Sequence, residues 1–109
     1  MAGTDSAAFV EKESDFLHFI LSAKPTQSLL LLRNPTISQV DTISEICINI
    51  IHGTEVAENP EILEDLKPFK NLIRKLGDVK SGVSEKRTII CKHPQSILKI
   101  IQKIELLLP

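Results

Sequence analysis

Apolar residues recur along this chain at the three- and four-residue spacing of amphipathic helices. The clearest stretch is NPTISQVDTISEICINIIHG, residues 34–53, which Asn34 or Thr36 can cap and which Gly53 follows in the left-handed conformation favoured there. Its apolar positions are Ile37, Val40, Ile43, Ile46, Cys47, Ile50 and Ile51. This pattern predicts a long helix with one wide buried face.

Two further helices are expected before this one. The first runs from Thr4 or Asp5 to about Ala23, and the second begins at Pro25, which suits the first position of a helix. Four consecutive leucines cover most of a helix circumference, so the second helix is expected to be buried on several sides. The inward residues predicted here are Phe9, Phe16, Leu17, Ile20, Leu29, Leu30, Leu31 and Leu32.

The second half of the chain predicts at least three more helical segments. Asn59 caps NPEILEDLKPFKNLIRKLG and Gly77 ends it, while Pro68 must kink or split it because proline lacks a backbone donor. Ser84 is expected to cap a short helix that ends before His93-Pro94, and a last helix follows. Inward positions are Ile62, Leu63, Leu66, Phe69, Leu72, Ile73, Leu76, Ile97, Leu98, Ile101, Ile104 and Leu108.

No segment alternates apolar and polar residues over the length of a strand, and no two-residue hairpin turn occurs. The chain is also short enough for one core. We therefore expect an all-α fold, a compact bundle of five or six short helices that forms a single domain over residues 1–109, with residues 1–14 a frayed N-terminus.

Composition narrows the class of protein. Hydrophobic residues make up 42% of the chain, which is typical of a folded protein. Its two cysteines, Cys47 and Cys91, lie in apolar runs and are expected to be reduced thiols of an intracellular protein, in cytoplasm or nucleus. The N-terminus resembles no signal peptide, and no apolar run is long enough to span a bilayer. With no Trp or Tyr, base stacking on aromatic rings is disfavoured.

Charge is separated along the chain although its formal net charge is only −1. Residues 1–66 hold three cations against eleven carboxylates, a net of −8, and residues 67–103 hold ten cations against two carboxylates, a net of +8. We predict that the positive stretch binds DNA or an acidic partner. The residues assigned to this binding are Lys67, Lys70, Arg74, Lys75, Lys80, Lys86, Arg87 and Lys92.

Two stretches, ISEICINIIHG at 43–53 and LKPFKNLIRKLGDVKSGVSEKRTII at 66–90, resemble a recurrent small helical protein of Maverick/Polinton-type DNA elements and the related adintoviruses. The matching positions are Ser44, Glu45, Ile46, Asn49, His52, Gly53, Leu66, Lys67, Phe69, Lys70, Leu72, Ile73, Arg74, Lys75, Leu76, Ser84, Lys86 and Arg87. The resemblance implies a DNA-associated or virion-core protein and supplies no catalytic residues. The chain departs from the family at the acidic EILEDLKP and at its C-terminal tail.

Catalytic and metal chemistry find little support in the sequence. Cys47 and His52 are five residues apart and so point roughly 140° apart on a helix, which does not suit zinc, and Cys91 and His93 form no paired-ligand motif with them. Glu45 and Asn49, four apart on the exposed side of their helix, are interpreted as an ordinary surface pair. No nucleophile motif or Gly-rich phosphate loop occurs. We expect no enzyme activity, no cofactor, no metal and no small-molecule substrate.

Two functions remain open at this point. The first is a non-enzymatic protein of a virus-like integrated element, present in the virion, that binds DNA or an acidic core partner through its basic C-terminal half. The alternative is a protein–protein interaction bundle, of the size of death-fold adaptor domains, that self-assembles through oppositely charged faces. Docking of the last helix on a membrane surface is the least favoured interpretation.

Overall fold

The computed structural model describes residues 14–108, and helices account for most of them. Within this range the structure has seven helices, one short α-helical turn at Thr54–Ala57, two 3₁₀ turns at Lys67–Phe69 and Glu105–Leu107, and no β-strand, so the all-α prediction is confirmed. The helices are α1 (Ser14–Ser22), α2 (Pro25–Arg33), α3 (Ile37–His52), α4 (Pro60–Leu66), α5 (Lys70–Leu76), α6 (Val83–Lys92) and α7 (Pro94–Lys103). The predicted N-terminal start near Thr4 or Asp5, the inward position of Phe9 and, of the frayed residues predicted over 1–14, all but Ser14 lie outside the described residues. Ser14 is the first residue of α1.

Side-chain caps start α3 and α4 as predicted. The hydroxyl of Thr36 accepts from the N–H of Gln39 (3.1 Å), and the side-chain oxygen of Gln39 accepts from the N–H of Thr36 (3.0 Å). These reciprocal bonds satisfy two donors that the first turn leaves without intrahelical partners, and they select Thr36 over Asn34 as the cap. Asn59 accepts from the N–H of Ile62 (3.2 Å) and caps α4.

Two predictions about helix ends are wrong. Gly53 follows α3 but has φ −82° and ψ 169°, an extended conformation and not a left-handed one. Ser84 does not cap α6, because the helix begins at Val83 after the extended residue Gly82. Ser84 therefore lies inside the first turn of α6.

Pro68 separates two helices instead of bending one. α4 ends at Leu66, a 3₁₀ turn spans Lys67–Phe69, and α5 begins at Lys70. Proline has no N–H to continue the α-helical hydrogen bonds, and the tighter turn accommodates this break. The sequence left a kink and a split open, and the structure shows the split.

The core lies where α3 contacts α5 and α6, and where α7 contacts α1, α2 and α4. Fully buried side chains include Leu17, Ile20, Leu32, Val40, Ile46, Leu76, Ile90, Ile97, Ile100, Ile101 and Ile104. Periodicity predicted most of these positions. It was wrong for Leu30 and Ile37, which are both 61% exposed, and for Ile51, which is 41% exposed. It also missed Ile90 and Ile100, and it missed Val56, which the short turn Thr54–Ala57 places in the core.

No helix within residues 14–108 is long and apolar enough to cross a membrane. The longest, α3, has 16 residues, and a bilayer span needs about 20.

Candidate interaction surface

The exposed side of α5 is strongly basic. Ile73 and Leu76 of this helix are buried, and its four exposed positions are Lys70, Asn71, Arg74 and Lys75. Lys67, also exposed, precedes them in the 3₁₀ turn. Lys67, Lys70, Arg74 and Lys75, which we call the basic face, thus lie on one side of a segment that contains no carboxylate.

Within residues 14–108, most of the predicted binding cations form no ion pair. Lys67 pairs with Glu64 (3.0 Å), but both side chains are well exposed, so solvent screens the attraction and the pair contributes little. Lys103, outside the predicted set, lies 4.0 Å from Asp65. Among residues 14–108, no carboxylate pairs with the side chains of the remaining exposed cations of the set, which are Lys70, Arg74, Lys75, Lys80, Arg87 and Lys92.

Lys86 does not belong to the exposed set, which corrects its assignment from the sequence. Its side chain is buried, with 7% exposure, because position 86 lies one turn before Ile90 on the inward side of α6. The Lys86 ammonium donates to Ser44 Oγ (2.6 Å), and the Ser44 hydroxyl donates to the carbonyl of Leu76 (2.8 Å). Lys86 therefore stabilises the contact of α6 with α3 and the C-terminal end of α5 and offers no charge to a partner.

Two cations of the set border neighbouring hollows on the surface. Lys75 borders a hollow with Ile89 and His93, and Lys92 borders the next hollow with Arg33 and His93. His93 and Ser96 line both hollows, so the basic surface continues from Lys75 toward Lys92. Arg33 joins this surface although it is distant in sequence, which is why the charge pattern missed it.

Lys80 and Arg87 are exposed but border neither of these hollows. Lys80 lies in the turn between α5 and α6, where its N–H donates to Asp78 Oδ1 (2.9 Å). Arg87 lies on α6. The predicted set is thus divided into the basic face, the Lys92 region, two separate cations and one buried lysine.

An apolar groove of about 380 Å³ adjoins the basic face. Its walls come from the C-terminal end of α3, from α4 and from α5. The apolar lining consists of Ile50, Ile51, Leu63, Leu66 and Ile73, and the charged lining consists of Lys67, Lys70 and Arg74. Leu63, predicted to be inward, is 46% exposed, because it faces this groove and not the core.

The cysteines and histidines do not form a reactive centre. Burial raises the pKa of the Cys47 thiol to about 12, an effect that the nearby Lys86 charge opposes, so the thiol is protonated at neutral pH. The Cys91 thiol, half-buried, donates to the carbonyl of Arg33 (3.2 Å). In the part of the chain that the structure describes, no three His, Cys, Asp or Glu residues are grouped so that they could hold a metal ion.

Comparison of the chain with models of protein families, with curated proteins and with solved structures finds no match. The resemblance to proteins of Maverick/Polinton-type elements therefore stays a prediction that depends on the two sequence blocks quoted above.

Proposed function

We propose that this chain is a non-enzymatic binding protein whose basic face contacts an acidic macromolecule. One observation carries the proposal. Three of the four exposed positions of α5 are cations that form no ion pair within residues 14–108, and Lys67 extends the same face. In the setting that the family resemblance predicts, the partner is DNA or an acidic protein of a virion core.

The physical basis of such binding is local. A formal net charge of −1 provides no long-range attraction to a polyanion, so binding depends on cations that are close together. On a helix, residues three and four positions apart are neighbours along the surface, as Lys70 and Arg74 are. Lys75, five positions after Lys70, lies about 140° further around α5 and widens the same outward side. Each cation that neutralises a charge on a polyanion such as DNA releases a counterion, so affinity must fall as salt rises.

The proposal is tested by measuring the affinity of the protein for a short DNA duplex and for poly-glutamate at low and physiological salt. We expect binding to at least one of the two at low salt, and an affinity that falls steeply as salt is added. The variant Lys70→Glu/Lys75→Glu is expected to lose about tenfold or more of that affinity, because each substitution replaces attraction with repulsion.

Lys24→Glu/Lys99→Glu is the matched control, since it makes the same change of net charge at two exposed lysines outside the basic face. It should bind almost as well as the wild type. The proposal is overturned by absence of binding to either polyanion at low salt, or by equal losses in the two double variants.

Self-assembly is a second candidate, favoured by the position of an acidic surface beside the basic one. Glu61, Glu64 and Asp65 occupy exposed positions of α4, and the basic face follows directly on α5. Adjacent patches of opposite sign allow two copies to associate head to tail. Association of the protein with itself at low salt, with no polyanion present, would support this second candidate.

A further inference from the structure

The groove beside the basic face exposes large apolar side chains. Ile51 is 41% exposed and Leu63 is 46% exposed, and both line the groove together with the half-buried Ile50. Two large aliphatic side chains that come from different helices, α3 and α4, and line one hollow differ from scattered surface apolar residues, which need no explanation. Its volume, about 380 Å³, lies in the range of sites that take up side chains or small ligands.

The polar lining of the groove carries charge of one sign only. Lys67, Lys70 and Arg74 border it, and no carboxylate lines it. These three residues are spaced by three and four positions, so they follow one side of the 3₁₀ turn and α5 over about 10 Å. Lys70 and Arg74 form no ion pair within residues 14–108.

We infer that this groove binds an amphipathic, acidic helix of a partner protein. The apolar side of such a helix would cover Ile51 and Leu63, and carboxylates at positions i, i+3 or i+4 and i+7 would meet Lys67, Lys70 and Arg74. The inference rests on the proposed function, because it names which acidic macromolecule the basic face receives.

The apolar lining of the groove favours an acidic helix over DNA as the partner. A DNA backbone presents charged phosphates and sugars, and these would satisfy the cations but leave Ile51 and Leu63 in contact with polar groups and water. A helix that carries both carboxylates and leucines satisfies both parts of the groove, since burial of each large aliphatic side chain adds to the electrostatic attraction.

The test uses a fluorescent peptide of about 14 residues, long enough for roughly four helical turns, with Leu along one side and Glu flanking it. A scrambled peptide of identical composition keeps the charge and removes the amphipathic pattern. We expect fluorescence anisotropy to show that the wild-type protein binds the patterned peptide at least about tenfold more tightly than the scrambled one.

Leu63→Ser separates this inference from the proposed function. Leu63 is 46% exposed and faces the groove, not the core, so the variant should fold, which circular dichroism and thermal melting would verify. We expect it to lose about tenfold in affinity for the patterned peptide while its affinity for poly-glutamate and duplex DNA is unchanged. Leu30→Ser, at a leucine that is 61% exposed and lies outside the groove, is the control and should bind the peptide normally.

Three outcomes overturn the inference. Equal affinity for the patterned and scrambled peptides, or no effect of Leu63→Ser, would show that only charge is recognised, and the proposed function would stand. Tighter binding of duplex DNA than of the patterned peptide, with loss of both on Lys70→Glu/Arg74→Glu, would assign the groove to nucleic acid. Failure of the protein to bind any polyanion or peptide would refute both proposals.

Discussion

At the residue scale, lysines of this chain have two different roles. Those of the basic face are exposed and can meet a partner, whereas Lys86 is buried and stabilises the fold. A buried ammonium needs compensation, and Lys86 obtains it from Ser44, whose hydroxyl in turn donates to the carbonyl of Leu76. Leu76 is the last residue of α5, where carbonyls lack intrahelical partners and the helix dipole favours a cation. The arrangement explains why Ser44, a small polar residue, is buried among the apolar residues of α3.

Removing one member of this arrangement should not be equivalent to removing the other. We expect Ser44→Ala to lower the free energy of unfolding by about 1–3 kcal/mol, because it leaves a buried ammonium without its acceptor. Lys86→Met replaces the charge with an apolar chain of similar length and should change stability by less than about 1 kcal/mol. Urea denaturation of both single variants and the double variant gives the values.

The double variant provides the internal check for this pair. If the cost of Ser44→Ala comes from the unpaired ammonium, adding Lys86→Met must recover part of it, and the two changes will not be additive. Additive costs, or a larger loss in Lys86→Met than in Ser44→Ala, would show that the lysine itself stabilises the fold.

At the element scale, the spacing of apolar residues identified the helices but not how completely each is covered. Periodicity reports which side of a helix turns inward, so Val40, Ile43 and Ile46 were placed correctly. It carries no information on which part of that side a neighbouring helix reaches. Ile37, in the first turn of α3, therefore has the right phase and still remains exposed.

Periodicity also fails to predict the burial of single residues when that burial depends on contacts with residues distant in sequence. Lys86 lies inward because α6 contacts α3, and the sequence of α6 alone presents it as one more cation in a basic run. Val56 lies in a segment that reads as a polar loop, and only the fold shows that a single helical turn places it in the core. The cations of the basic face could be predicted because they lie close together in sequence, whereas their junction with the groove could not.

Gly77 controls how closely the end of α5 approaches α3. A Cβ at this position would lie 2.6 Å from Ile51 Cδ1 and 3.2 Å from the backbone carbonyl carbon of Cys47. We expect Gly77→Ala to lower the free energy of unfolding by about 1–3 kcal/mol, because the Ile51 side chain must turn aside and the backbone carbonyl carbon of Cys47 must shift slightly to make room. Thermal and urea denaturation measure the loss.

A second substitution identifies which contact causes that loss. Ile51→Ala removes the side-chain atom nearest to the new Cβ but leaves the backbone of Cys47 in place. We expect the double variant Gly77→Ala/Ile51→Ala to recover only part of the cost relative to Ile51→Ala alone. A full recovery would show that the clash involves only the isoleucine, and a Gly77→Ala variant as stable as the wild type would contradict the close approach itself.

At the scale of the whole molecule, the negative and positive charges that are separated along the sequence form two neighbouring surfaces. The exposed carboxylates of α4 and the cations of α5 lie on the two helices that flank Pro68. The break at this proline therefore lies close to the point where the surface charge changes from negative to positive. Helices α4 and α5 also line the groove. The break at Pro68 thus gives one short region of the chain an acidic surface, a basic surface and an apolar hollow.

This arrangement predicts how the protein behaves near its isoelectric point, which the sequence places at about pH 6.3. Net repulsion between copies then vanishes, and the attraction of unlike patches remains unless salt screens it over about 10 Å or less. We expect the osmotic second virial coefficient, measured by static light scattering at pH 6.3, to be more negative at about 20 mM than at about 300 mM salt.

Lys70→Glu/Lys75→Glu should weaken this attraction much more than Lys24→Glu/Lys99→Glu, although both double variants carry the same net charge. The opposite trend, attraction that grows with salt, would assign association to exposed apolar residues such as Leu30, Val79 and Leu106, because salt screens charges but does not weaken contacts between apolar surfaces.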